Sequence, residues 1–144
     1  MRVVILTIAF MLGITSYAQT TKTEKLAKGT KGWEIKREIK GKDTTVYFYW
    51  GFQNMKYQYI TDIGSVYVSS KAELKAFAEK LIEYGNIKGK VDQRDNVAGT
   101  GIILYDFSSN IYIEDGDKYT ILTKRSAIKM GNEILEHYEL LNRW

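Results

Sequence analysis

Apolar and polar positions alternate along much of the chain, and twice the period changes from two to nearly four. Trp33, Ile35 and, past Arg37, Ile39 alternate with Glu34, Lys36 and Glu38, the pattern of a half-buried strand. After Gly41-Lys42-Asp43, residues 44–53 place Val46, Phe48, Trp50 and Phe52 on one face and Tyr47 and Tyr49 on the other. β-Branched and aromatic residues at period two make this the clearest strand. Extended runs follow at 57–61 and 65–69, the second with Val66 and Val68 on one face.

Helical spacing then takes over. Ser70 and Glu73 have the separation of a capping box, and Leu74, Phe77, Ala78, Leu81 and Ile82 form an apolar stripe. Gly85 is expected to end this helix. Residues 88–100, rich in glycine and charge, predict a long loop with room for a short strand, and 101–107 (GIILYDF) a buried strand. Asp115-Gly116 between two extended runs predicts a type I′ hairpin. A second helix is expected from a cap at Ser126, with Ala127, Met130, Ile134, Leu135, Tyr138 and Leu141 on its apolar side. Gly131 inside it points to close packing on the sheet. The order is strands, helix, strands, helix. It predicts an α+β fold with two amphipathic helices on one face of an antiparallel sheet.

The first eighteen residues break this pattern. Arg2 precedes twelve uncharged, mainly apolar residues (3–14), and Ser16 and Ala18 supply the small side chains a signal peptidase reads. The expected cut lies between Ala18 and Gln19, giving a periplasmic or secreted protein. A transmembrane anchor would need roughly 20 apolar residues. Export without any cysteine or Asn-x-Ser/Thr sequon suits a bacterial envelope protein, and it excludes disulfide staples, thiol catalysis and cysteine-ligated metals.

Charge divides the remainder. Residues 19–42 hold eight basic and three acidic residues, whereas 43–144 hold twelve basic and fourteen acidic. Residues 19–32 carry few large apolar side chains and read as a flexible basic leader, placing the folded domain at 33–144. Lys22, Lys25, Lys28 and Lys31 of that leader could meet an anionic envelope surface, or merely keep it solvated. Nucleic acid is disfavoured for an exported protein.

Recognisable catalytic sets are absent from the sequence. His137 is the only histidine, so histidine-rich metal sites are excluded and it reads as a boundary or surface residue. No cofactor motif or metal-binding spacing is present. Asp92 and Asp95 in the long loop, with Glu114, Asp115 and Asp117 at the hairpin, could act as acid and base in a small hydrolase. The plainer reading is turn chemistry. Among the eleven tyrosines, Tyr47, Tyr49, Tyr57 and Tyr59 are candidate ligand- or partner-binding residues. Tyrosine offers apolar area with a hydroxyl, although cross-strand pairing alone would also account for them. The sequence thus favours a non-enzymatic binding module for a protein or glycan partner. The alternatives are a carboxylate hydrolase, or an inhibitor or chaperone of a secreted enzyme.

Overall fold

The structure is a computed structural model that describes residues 20–56 and 62–142. The expected signal segment and its cut at Ala18/Gln19 therefore lie outside the described residues. The fold is α+β, but with two antiparallel four-stranded sheets where one was expected. Strands β1 (Thr21–Lys28), β2 (Glu34–Lys40), β3 (Asp43–Gln53) and β4 (Ile63–Val68) form sheet one in sequential order. Helix α1 (Lys71–Asn86) follows. Strands β5 (Gln93–Val97), β6 (Thr100–Leu104), β7 (Asn110–Asp115) and β8 (Lys118–Thr123) form sheet two, and α2 (Lys124–His137) runs into a 3-10 turn over Tyr138–Asn142.

The flexible basic leader expected at 19–32 is instead folded over residues 21–28 and 30–32. Residues 21–28 are not a solvated arm; they pair with β2 from Thr21↔Lys40 to Lys28↔Glu34, with a bulge between Lys25 and Ala27. The free edge of β2 satisfies their backbone groups, and Leu26 and Ala27 pack on the core. A 3-10 turn, Thr30–Gly32, then joins β1 to Trp33. The Thr30 amide and hydroxyl donate to the Glu133 carboxylate of α2 at 2.8–2.9 Å, and Trp50 Nε1 donates to the Lys31 carbonyl at 2.8 Å. A Cβ on Gly29 would lie 2.2 Å from the Trp33 ring, so only glycine lets the chain cross that indole.

The two sheets stay separate because β4 meets sheet two through side chains rather than a backbone ladder. The Ser65 amide donates to Asp115 Oδ2 at 2.9 Å. Lys118 pairs with Asp62 at 3.0 Å. Asn54, buried, accepts from the Lys56 and Tyr119 amides and donates to Asp62, while the Met55 amide donates to the Tyr119 carbonyl at 2.9 Å. Across this junction the buried residues of both sheets and both helices still form one core, including Trp33, Phe48, Phe77, Tyr84, Ile113 and Met130.

Helix ends and turns refine the local expectations. Ser70 caps α1 through the Glu73 amide, as the capping box suggested. Gly85 does not end α1; it lies inside the helix, where a Cβ would meet Ile128 Cγ1 at 2.4 Å and the Lys124 carbonyl at 2.9 Å. Helix α2 starts earlier than expected, with Thr123 as cap and Ser126 donating its amide to it. Gly131 packs against α1 rather than a sheet: its Cβ would lie 2.7 Å from both the Ala78 carbonyl oxygen and Ile82 Cγ1. The β7–β8 loop is Gly116-Asp117, closed by Asp115↔Lys118. Gly116 has φ +62° and Asp117 does not have positive φ, the sign pattern of a type II′ turn rather than I′.

Candidate functional site

The outer face of each sheet, opposite its buried residues, carries a group of aromatic rings. On β3, Val46, Phe48, Trp50 and Phe52 are buried and Tyr47 and Tyr49 lie half-buried on the opposite side. That register matches the alternation in the sequence, and it follows from burying one face only. Tyr67 of β4 stands directly across from Tyr49 and contacts Tyr47 diagonally, with ring centroids 5.1 Å apart. Lys36 Nζ sits 5.3 Å from the Tyr49 ring centroid and 2.8 Å from Glu34. That carboxylate raises the Lys36 ammonium above its usual range. Tyr67, 53% exposed, was not among the sequence candidates, although Val66 and Val68 on either side already set its face. Tyr57 and Tyr59 lie outside the described residues.

Sequence reasoning missed the second group entirely. Strand β6 ends at Leu104, so Tyr105 and Phe107 are not part of a buried strand. Tyr105 contacts Tyr112 of β7 edge-on at 5.0 Å and stacks with Phe107 at 5.0 Å with 15° between planes. Tyr112 in turn contacts Tyr119 of β8 at 5.9 Å. Phe107 is 73% exposed. The available signal was the placement of Tyr112 between Ile111 and Ile113, both fully buried. A shallow cavity of ≈ 300 Å³ beside this ladder is lined by residues including Asp92, Arg94, Ile103 and Tyr105. Arg94 pairs with Glu114 across the sheet at 2.8 Å.

The proposed carboxylate pair does not converge. Asp95 accepts from the Tyr84 hydroxyl at 3.0 Å and lies 3.3 Å from Lys80; the Tyr84 hydroxyl, foremost, holds it below its ordinary value. Burial, then Asp95, pushes the Tyr84 phenol up. Asp92 accepts from the Asp106 amide at 2.8 Å. Glu114 turns to Arg94 on the outer face, whereas Asp95 aligns with Ile102 and Ile113, both fully buried. Asp115, on the same side as Asp95, is two strands and two residues away, about 12 Å at ordinary strand spacing. That exceeds the roughly 5–10 Å of glycosidase carboxylates, and its carboxylate is occupied at the sheet junction.

The basic residues are similarly engaged. Lys22 pairs with Glu24 at 2.8 Å and Lys25 with Glu34. Glu24 is held down to about 2 by hydrogen bonds from Lys22 and Arg37. His137 is half-buried, its Nδ1 2.9 Å from the Glu133 carbonyl and its ring 6.0 Å from that of Trp33. Among the described residues, no group of three or more histidine or carboxylate side chains could hold a metal, and no helix is long and apolar enough to cross a membrane. Comparison with protein-family models, curated proteins and solved structures finds no match to this chain.

Proposed function

We propose that this protein is a non-enzymatic binding module, exported to the periplasm or beyond, that engages a partner through the outer faces of its sheets. One observation carries the reading. Each sheet turns a tyrosine pair outward on its third and fourth strands, Tyr47–Tyr67 and Tyr112–Tyr119. Both pairs occupy the same diagonal of the register, two residues back from the directly opposite position. The two helices cover the inner faces in this reading and leave both outer faces to solvent. Aromatic pairing stabilises a sheet modestly, about 0.2–1 kcal/mol per pair, but stability alone does not require a 73% exposed Phe107 beside it.

The test compares retention of envelope components by the immobilised protein and its variants. Tyr47→Ala/Tyr67→Ala and Tyr112→Ala/Tyr119→Ala alter the two faces, and Glu136→Ala serves as a control on exposed helix surface. Components held by the wild type and the control should be lost from one or both face variants. Unchanged retention by both would reduce the tyrosines to sheet packing.

A further inference from the structure

We propose that β1 is an exchangeable strand: it leaves the edge of β2 and is replaced there by β1 of a second copy of this chain, so that two copies trade first strands. The inference concerns a sheet edge and does not depend on the reading of the outer faces.

Little of β1 belongs to the core. None of its side chains is fully buried, and Leu26 and Ala27 only pack against the core's margin. Its order comes from the ladder to β2 and from ion pairs, Lys25 with Glu34 and Glu24 with Arg37, whose Nε donates at 3.0 Å. Without β1, the edge of β2 would present unpaired backbone groups beside Trp33 and Ile35, both fully buried in the closed fold, and such an edge recruits another strand. Register names the occupant. A strand filling this edge must set a carboxylate against Arg37, a cation against Glu34 and a small apolar side chain against Ile35, with a bulge at Leu26. The β1 of a second copy meets these demands residue for residue.

Since the exchanged pair recovers every β1–β2 contact, the connector at 29–33 decides the balance. Closed, it gains the Thr30 bonds to Glu133 and the Trp50 bond to the Lys31 carbonyl. Thr30 is exposed, so water competes for its bonds. Against them, Lys31 is held at φ +69°, a left-handed conformation that is costly for a residue with a Cβ, and Gly32 follows at φ +77°. Gly29 presses on the Trp33 indole, and the buried Trp33 Nε1 has no hydrogen-bond partner among the described residues, which disfavours the closed form. Straightening the connector releases Lys31 and lifts Gly29 from the indole. Short hinge loops under strain favour exchange between copies. Ala98, the other non-glycine residue at positive φ among the described residues, lies in the turn after β5. That strand is tied to α1 at its other end, whereas β1 joins the described fold at one end only.

Disulfide trapping tests this, because the chain has no cysteine of its own and Thr23 aligns with Glu38 across β1 and β2. Thr23→Cys and Glu38→Cys chains are mixed at high concentration under mild oxidation. A disulfide-linked heterodimer should form at least about tenfold faster than from Thr23→Cys with Lys75→Cys, an exposed site on α1 that reports collision alone. Glu133→Ala in both chains should speed trapping about tenfold, the scale of the lost clamp. Lys31→Gly should slow it about tenfold, since glycine accepts the left-handed conformation. Ile113→Val, which loosens the core within sheet two, should leave the rate unchanged. The wild-type sequence supplies a second readout: size-exclusion chromatography after concentration and dilution should show a dimer that decays slowly. Trapping no faster than collision, a rate indifferent to both Glu133→Ala and Lys31→Gly, or a rate that rises in Ile113→Val would each overturn the exchange. So would the absence of any dimer from the concentrated wild type.

Discussion

Replacing Gly131 with alanine sets two known effects against each other. In an unobstructed helix the change stabilises by about 1 kcal/mol, because glycine loses more backbone freedom on folding. Here the new methyl would sit 2.7 Å from the Ala78 carbonyl oxygen and 2.7 Å from Ile82 Cγ1. The isoleucine can rotate away, but the oxygen belongs to α1 and moves only with the helix. Separating two packed helices by a fraction of an ångström forfeits a quarter to a half of each affected dispersion contact, and overpacking of this kind costs about 1–3 kcal/mol. The net expectation is a loss of about 1 kcal/mol, or about 4 °C in Tm for a domain of this size. Denaturant titration and calorimetry would measure it, with Asn132→Ala as a solvent-facing control that should be neutral or slightly stabilising. In an Ile82→Ala background the penalty should shrink, since one of the two obstructions is gone. A Tm that rises in Gly131→Ala would refute the proposed helix contact.

Other expectations follow from the polar contacts. Glu133→Ala removes the acceptor of the Thr30 amide and hydroxyl. It should cost about 1–2 kcal/mol and speed tryptic cleavage after Lys22, Lys25 and Lys28, which β1 pairing otherwise slows; equal cleavage rates would contradict the clamp. Tyr84→Phe leaves Asp95 without its hydroxyl donor and should cost about 1 kcal/mol, because the partly exposed carboxylate recovers water; a neutral result would show that bond to be dispensable. Glu24 has a folded-state pKa lowered from 4.5 to about 2, and Glu34, Asp62, Asp95 and Glu139 are lowered as well. Their stabilisation is complete above the unfolded carboxylate values and is lost as pH falls through the folded ones. Unfolding scans from pH 5 to pH 2 should show a progressive fall, smaller in Glu24→Gln, and a flat profile would contradict these shifts.

What the sequence disclosed depended on how much apolar surface each element buries. β3 and the two helices place large side chains on one face, so periodicity located them and fixed the direction of Tyr47 and Tyr49. β1 leaves no such pattern, for the opposite reason. As an edge strand it gains its order from a backbone ladder to β2 and from lysine–glutamate pairs, neither of which leaves an apolar period. The same holds for β5, whose Gln93, Arg94, Asp95 and Asn96 pair with β6. The division into two sheets turns on a few long-range bonds around Asn54, Ser65 and Asp115, which no local window contains. The aromatic ladder was hidden because Tyr105 and Phe107 sit past the end of β6, where alternation no longer assigns a face. Gly85 and Gly131 look alike in sequence to a terminator and a tolerated defect, yet both answer to backbone from the other helix.

The Thr30–Glu133 contact spans 103 residues, and it imposes an order on synthesis. The first strand of the domain cannot be clamped until nearly the last helix has been made, because its anchor is a side chain of α2. Closing so long a loop is entropically unfavourable until other contacts have gathered the chain. Strand β1 can pair with the neighbouring β2 as soon as both are made, but the Thr30 turn between them stays unclamped until α2 is in place. The clamp thus marks completion of the fold, because it is set only once the C-terminal helix has docked.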